Sequence, residues 1–134
     1  MRQLLIIAVL LFTASLHSQS LTDVFKQYIQ PQSSTEDLRT GLKQIEKLCT
    51  TNPEAKCNKA KASALYLLAD HYFEAAYQVY QVDQTLVDPI LAKANALFAQ
   101  ANSFMPIENF DPSQKNMLLE SKQKYETGLK YAVN

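Results

Sequence analysis

The chain has 134 residues, with 13 basic and 13 acidic side chains, two glycines, two cysteines and no tryptophan. One domain is the expectation at this length. Gly41 and Gly128 stand alone at opposite ends, which excludes a Gly-rich phosphate loop, a dinucleotide-binding turn and a nucleophile elbow. The same shortage argues against hairpin-rich β folds, the balanced charge argues against nucleic acid as a partner, and the apolar content argues against intrinsic disorder.

In chain order, the first feature is a leader. Met1-Arg2-Gln3 is short and positive, residues 4–12 are apolar throughout, and residues 13–20 are mostly small or polar. This is the three-part pattern of a secretory signal peptide. Its apolar run is too short to span a bilayer, which takes roughly 20 residues. The expected division is a signal peptide over residues 1–20, cleaved after Ser18 or Ser20, and one α-helical domain over residues 21–134. About 115 residues then remain, with no membrane insertion after cleavage and a secreted or periplasmic location. In such a compartment Cys49 and Cys57 are expected to form a disulfide. Their spacing is not that of a C-x-x-C redox motif, and zinc would need two further ligands that the neighbourhood lacks.

Five helices are predicted. The first covers residues 21–30, with Leu21, Val24, Phe25 and Tyr28 on one side and Pro31 behind it. The second runs over residues 35–50, with Ser33 and Glu36 as a candidate capping box and Leu38, Leu42, Ile45 and Leu48 at helical spacing. Three Asx-Pro pairs, Asn52-Pro53, Asp88-Pro89 and Asp111-Pro112, read as helix starts. The Asx side chain can accept from free N–H groups, and proline suits the first helical position, where no N–H is needed. They place the third helix at residues 53–83, the fourth at 88–105 and the fifth at 111–132. The fifth has a thin stripe, Leu118, Tyr125, Leu129 and Ala132, interrupted by Lys122, and is expected to be the most exposed. Together these predict an all-α fold, an antiparallel helical bundle or a short repeat-like array of about five helices.

Within the third helix Leu65, Leu68, Ala69, Tyr72, Ala76 and Val79 form the main stripe. Leu65-x2-Leu68-Ala69-x2-Tyr72 there and Ala94-x3-Phe98-x2-Ala101-x4-Pro106 in the fourth helix resemble the two-helix signature of tetratricopeptide repeats, over residues 65–106. Ala94 follows Tyr72 by 22 positions, longer than the standard repeat of 34 residues allows, and no second copy is visible. The resemblance implies paired antiparallel helices and a surface for peptides or protein partners.

Candidate chemistry is sparse. His17 belongs to the leader, and His71, between Asp70 and Glu74, lies on a polar helix face without the spacing of a metal site. No catalytic residue, metal ligand or cofactor is expected. Tyr66, Phe73, Tyr77 and Tyr80 form a second stripe that widens the apolar face of the third helix. A face this wide marks a central helix with neighbours on two sides, or a groove in which tyrosines meet a partner, rimmed by Lys59, Lys61, Gln78 and Gln81. The leading expectation is therefore an exported non-catalytic helical protein-interaction module, an adaptor or scaffold, with Tyr66, Phe73, Tyr77 and Tyr80 as partner-binding candidates. The alternative is a small-molecule carrier holding an apolar ligand inside a helical bundle.

Overall fold

The computed structural model describes residues 20–53 and 56–132. Apart from Ser20, the expected leader lies outside them. The described residues form five α-helices and no strand. They are α1 (Leu21–Tyr28), α2 (Thr35–Thr51), α3 (Lys56–Tyr80), α4 (Val87–Phe104) and α5 (Pro112–Ala132), with 3₁₀ turns at Gln84–Leu86 and Ile107–Asn109.

The helix ends show where local chemistry overrides periodicity. Ser20 caps α1 in a reciprocal box: its side chain accepts from the Asp23 N–H, and the Asp23 carboxylate accepts from the Ser20 N–H, each at 3.2 Å. That helix stops at Tyr28 rather than residue 30, because the Ser33 hydroxyl accepts from the Gln30 N–H at 3.0 Å and folds the chain into a turn. Ser33 is thereby occupied, and Ser34 takes the cap of α2, accepting from the Asp37 N–H at 3.1 Å.

Of the three Asx-Pro pairs, Asp111-Pro112 marks a helix start, with Pro112 the first residue of α5. Asn52 closes α2, its N–H reaching the Leu48 carbonyl at 2.9 Å; Pro53 stands outside either helix, residues 54–55 lie outside the described residues, and α3 is described from Lys56. Asp88 and Pro89 fall inside the first turn of α4. There the missing N–H of proline still costs no hydrogen bond. The preceding break is made upstream: α3 ends at Tyr80, and Asp83 accepts from both the N–H (2.9 Å) and the hydroxyl (2.6 Å) of Thr85.

The middle of the molecule is α3. Its side chains enter every apolar cluster: Ala60, Ala64 and Leu68 with Val24, Leu38 and Ile45; Leu65 and Tyr66 with Ala101, Ile107, Phe110 and Leu118; Ala69 and Phe73 with Ala94; Ala76 with Val87. The pairings run Tyr66 to Phe98, Phe73 to Ala94 and Ala76 to Val87, so α3 and α4 are antiparallel. Buried alanines on both sides, Ala69 and Ala76 against Ala94 and Ala101, let the two helices approach closely. Helix α2 is also antiparallel to α3, tied at one end by Cys49–Cys57, whose Cα atoms are 6.0 Å apart, and at the other by Thr35 beside His71.

Helix α5 lies across the α3–α4 seam. Leu118 is buried against it. Lys122, the interruption in the sequence stripe, places its ammonium 5.1 Å from the Phe98 ring centre and 6.0 Å from that of Phe73, while paired with Glu126 at 2.8 Å. Its stem covers apolar surface and its charge rests on ring faces, so lysine continues the stripe instead of breaking it. Tyr125, Leu129 and Ala132 lie outside the described side chains.

Candidate functional site

The tyrosine stripe does not form one surface. Tyr66 and Phe73 are each 1% exposed, and for them the central-helix reading holds and the partner-binding expectation is corrected. Tyr66 meets Phe98 and Phe110 edge-on, at 5.1 and 5.4 Å between ring centres. Its hydroxyl donates to the Met105 carbonyl at 2.9 Å, with Asn102 Oδ1 3.3 Å away. Burial, and secondarily the Glu108 carboxylate, push this phenol up to about 12. The reason for the difference along the stripe is the route of α4 and α5: Phe98, Phe110 and Leu118 close over Tyr66, and Ala94 over Phe73.

Further along α3 that cover gives way. Tyr80 is half-buried against Ala76 and Val87, and its hydroxyl accepts from Gln84 at 3.1 Å. Tyr77 is 37% exposed, and in the turn that follows Val82 and Leu86 are 88% and 54% exposed. Among the described residues, three of the five exposed large apolar side chains therefore sit at one end of the α3–α4 hairpin; the others are Met117 and Leu119 on α5. Asp83 and Asp88 flank this tip, and the Thr85 hydroxyl and N–H hold the Asp83 carboxyl below its ordinary range, keeping it charged. Single exposed apolar residues are ordinary, whereas a concentration of them marks a contact surface.

His71 is half-buried, with Nδ1 3.1 Å from the Thr35 hydroxyl. It serves the α2–α3 contact beside the pair in which Arg39 donates to the Tyr72 hydroxyl. Asp70 is turned toward a crevice too narrow to admit a water molecule, shared with Tyr66, Phe73, Phe98, Leu118 and Lys122. Its Oδ1 is buried without a hydrogen-bond partner. Burial raises its pKa, His71 lowers it and Glu74 raises it further. Among the described residues no three His, Cys, Asp or Glu side chains converge as a metal-ion site would require.

A second surface lies at the other end of α3, where α1 docks. An open groove of about 460 Å³ has Leu21, Phe25 and Ala60 as apolar walls and Lys26, Lys56 and Lys59 around them. Phe25 and Gln30 also line a smaller cleft of about 260 Å³, reaching Leu67, Phe110 and Met117. The sequence placed Lys59 and Lys61 on the rim of a tyrosine groove. The structure puts Lys59 on this α1–α3 groove and Lys61 5.2 Å from the Phe104 ring centre. Among the described residues no helix is long and apolar enough to cross a membrane. No protein-family model, curated protein or solved structure matches the chain.

Proposed function

We propose that the chain is an exported, non-catalytic helical interaction module that presents the tip of the α3–α4 hairpin to a protein or peptide partner. The observation that carries this reading is the exposure of Tyr77, Val82 and Leu86 at one end of a long, well-packed hairpin. Val82, 88% exposed, stands to gain most of the roughly 1.5–3 kcal/mol that full burial returns, and Leu86 and Tyr77, already partly covered, proportionately less. A partner offering an apolar anchor would recover it, and a basic flank on that partner would complement Asp83 and Asp88. The tetratricopeptide-like spacing agrees with this use, since such helix pairs present surfaces to peptides. Export is supported by the leader-like residues 1–20 and by the cysteine pair. The absence of a catalytic role is supported by what the reactive groups do: the cysteines are joined and His71 is held at a helix contact.

Of the four stripe residues, Tyr77 remains the contact candidate and Tyr80 its buttress. A photo-cross-linking residue in place of Val82, introduced into the chain in its native host, tests the reading. A discrete partner adduct is expected, absent when the same probe replaces the exposed Lys43 on α2 and lost when Leu86→Ser is added. Equal adducts at both positions would sink the proposal.

A further inference from the structure

The α1–α3 groove is separate from the hairpin tip and carries an inference of its own. We infer that it binds a free fatty acid, the acyl chain against Leu21, Phe25 and Ala60 and the carboxylate among Lys26, Lys56 and Lys59.

Three observations lead there. The groove's volume, about 460 Å³, lies in the range of small-molecule sites, roughly 300–1,000 Å³. Its walls are apolar, and among the described residues every charged side chain lining it is a lysine. The overall charge of the chain is balanced, so this is a local excess and not a general property. A neutral hydrocarbon would leave three ammonium groups unused, whereas a chain ending in one anion answers both halves of the site. Lysine suits a mobile headgroup, because its ammonium acts as a point charge on a flexible stem instead of demanding fixed bidentate geometry. The stems also extend the apolar wall. A protein partner is disfavoured, since lysine is depleted from protein–protein interfaces.

Titration with palmitate tests this in the leader-free chain. The protein has no tryptophan, so Thr22→Trp, an exposed position on the groove, supplies a single fluorophore. Palmitate below its aggregation limit is expected to shift the emission to the blue and saturate at one chain per protein. Its neutral monoglyceride should bind about tenfold more weakly, and the triple variant Lys26→Gln, Lys56→Gln, Lys59→Gln should lose palmitate by a similar factor while its circular dichroism is unchanged. Raised salt should weaken palmitate more than the monoglyceride. The inference is overturned if palmitate gives no saturable shift, if the triple variant binds it equally well, or if the shift appears only with phosphatidylglycerol vesicles or an acidic amphipathic peptide. Leu86→Ser should leave palmitate binding intact, so failure of this site and failure of the hairpin-tip reading are separately visible.

Discussion

Two polar side chains on α3, the buried Tyr66 and the half-buried Asp70, set the residue scale. Tyr66 places a hydroxyl where a phenylalanine would pack as well, and that hydroxyl supplies the donor for the Met105 carbonyl at the turn after α4. Tyr66→Phe keeps both edge-on ring contacts and removes only this donor. It is expected to lower stability by about 1–2 kcal/mol, with an unchanged denaturant slope in urea unfolding. Asp70 is the opposite case, a carboxylate whose Oδ1 lacks a partner. Burial raises its pKa above the ordinary 3.8, with His71 opposing and Glu74 adding. The folded state thus holds the proton more tightly than the unfolded state. Its contribution is complete below the ordinary value and is lost as pH rises through the raised one. Asp70→Asn should therefore unfold at a higher temperature than the parent at neutral pH, and the gap should narrow toward acid. Thermal unfolding over a pH series checks this; a gap independent of pH would contradict it.

At the scale of elements, the docking of α1 depends on one missing side chain. Gly41 on α2 is buried, and a Cβ there would come within 2.6 Å of both Tyr28 Cβ and Ile29 Cδ1. Gly41→Ala gains about 1 kcal/mol of helix propensity. The displaced atom at Tyr28 sits next to backbone, so α1 itself must move, and overpacking of this kind costs about 1–3 kcal/mol. The expected result is net destabilisation, with faster amide exchange confined to α1. The disulfide acts at the far end of α2. It closes a loop with sequence separation 8, and its removal as Cys49→Ala with Cys57→Ala should cost about 2.5 kcal/mol in urea unfolding by the loop-entropy argument. Helix number and order were legible because apolar residues repeat at helical spacing within each segment: Leu38, Leu42, Ile45 and Leu48 in α2, and Leu65, Leu68, Ala69, Tyr72 and Ala76 in α3. The ends were less so: Ser33 and Ser34 are chemically equivalent caps, and only the competing bond from Gln30 decides between them. Asp83 likewise pre-empts Asp88, because Thr85 stands two residues after it.

At the scale of the whole molecule, the tyrosine stripe and the lysine groove show what a single helix wheel leaves open. Tyr66, Phe73, Tyr77 and Tyr80 have similar periodicity, and their fates diverge because α4 and α5 close over the first two. The groove brings Lys26 beside Lys56 and Lys59, a juxtaposition that exists only once α1 has docked on α3. The same docking bears on where the mature chain begins. The proposed leader offers two cleavage points: after Ser20, where Ser18 and Ser20 form the small pair, and after Ser18, where Leu16 stands three residues before the cut. Cleavage after Ser20 would delete the residue that caps α1. It would also release Asp23, whose carboxyl is held below its ordinary range first by the Ser20 N–H and then by the Ser20 hydroxyl. Loss of such a cap costs about 0.5–2 kcal/mol, a large fraction of what an eight-residue helix has to hold it in place. Cleavage after Ser18 leaves the box intact and Gln19 at the new terminus. If the chain is exported as proposed, the intact cap therefore favours a start at Gln19 over one at Leu21. Intact mass and N-terminal sequencing of chain recovered from the exporting cell read this directly. A start at Leu21 would mean that α1 holds its place without its cap, and a chain truncated to that start should then match the longer one in thermal unfolding.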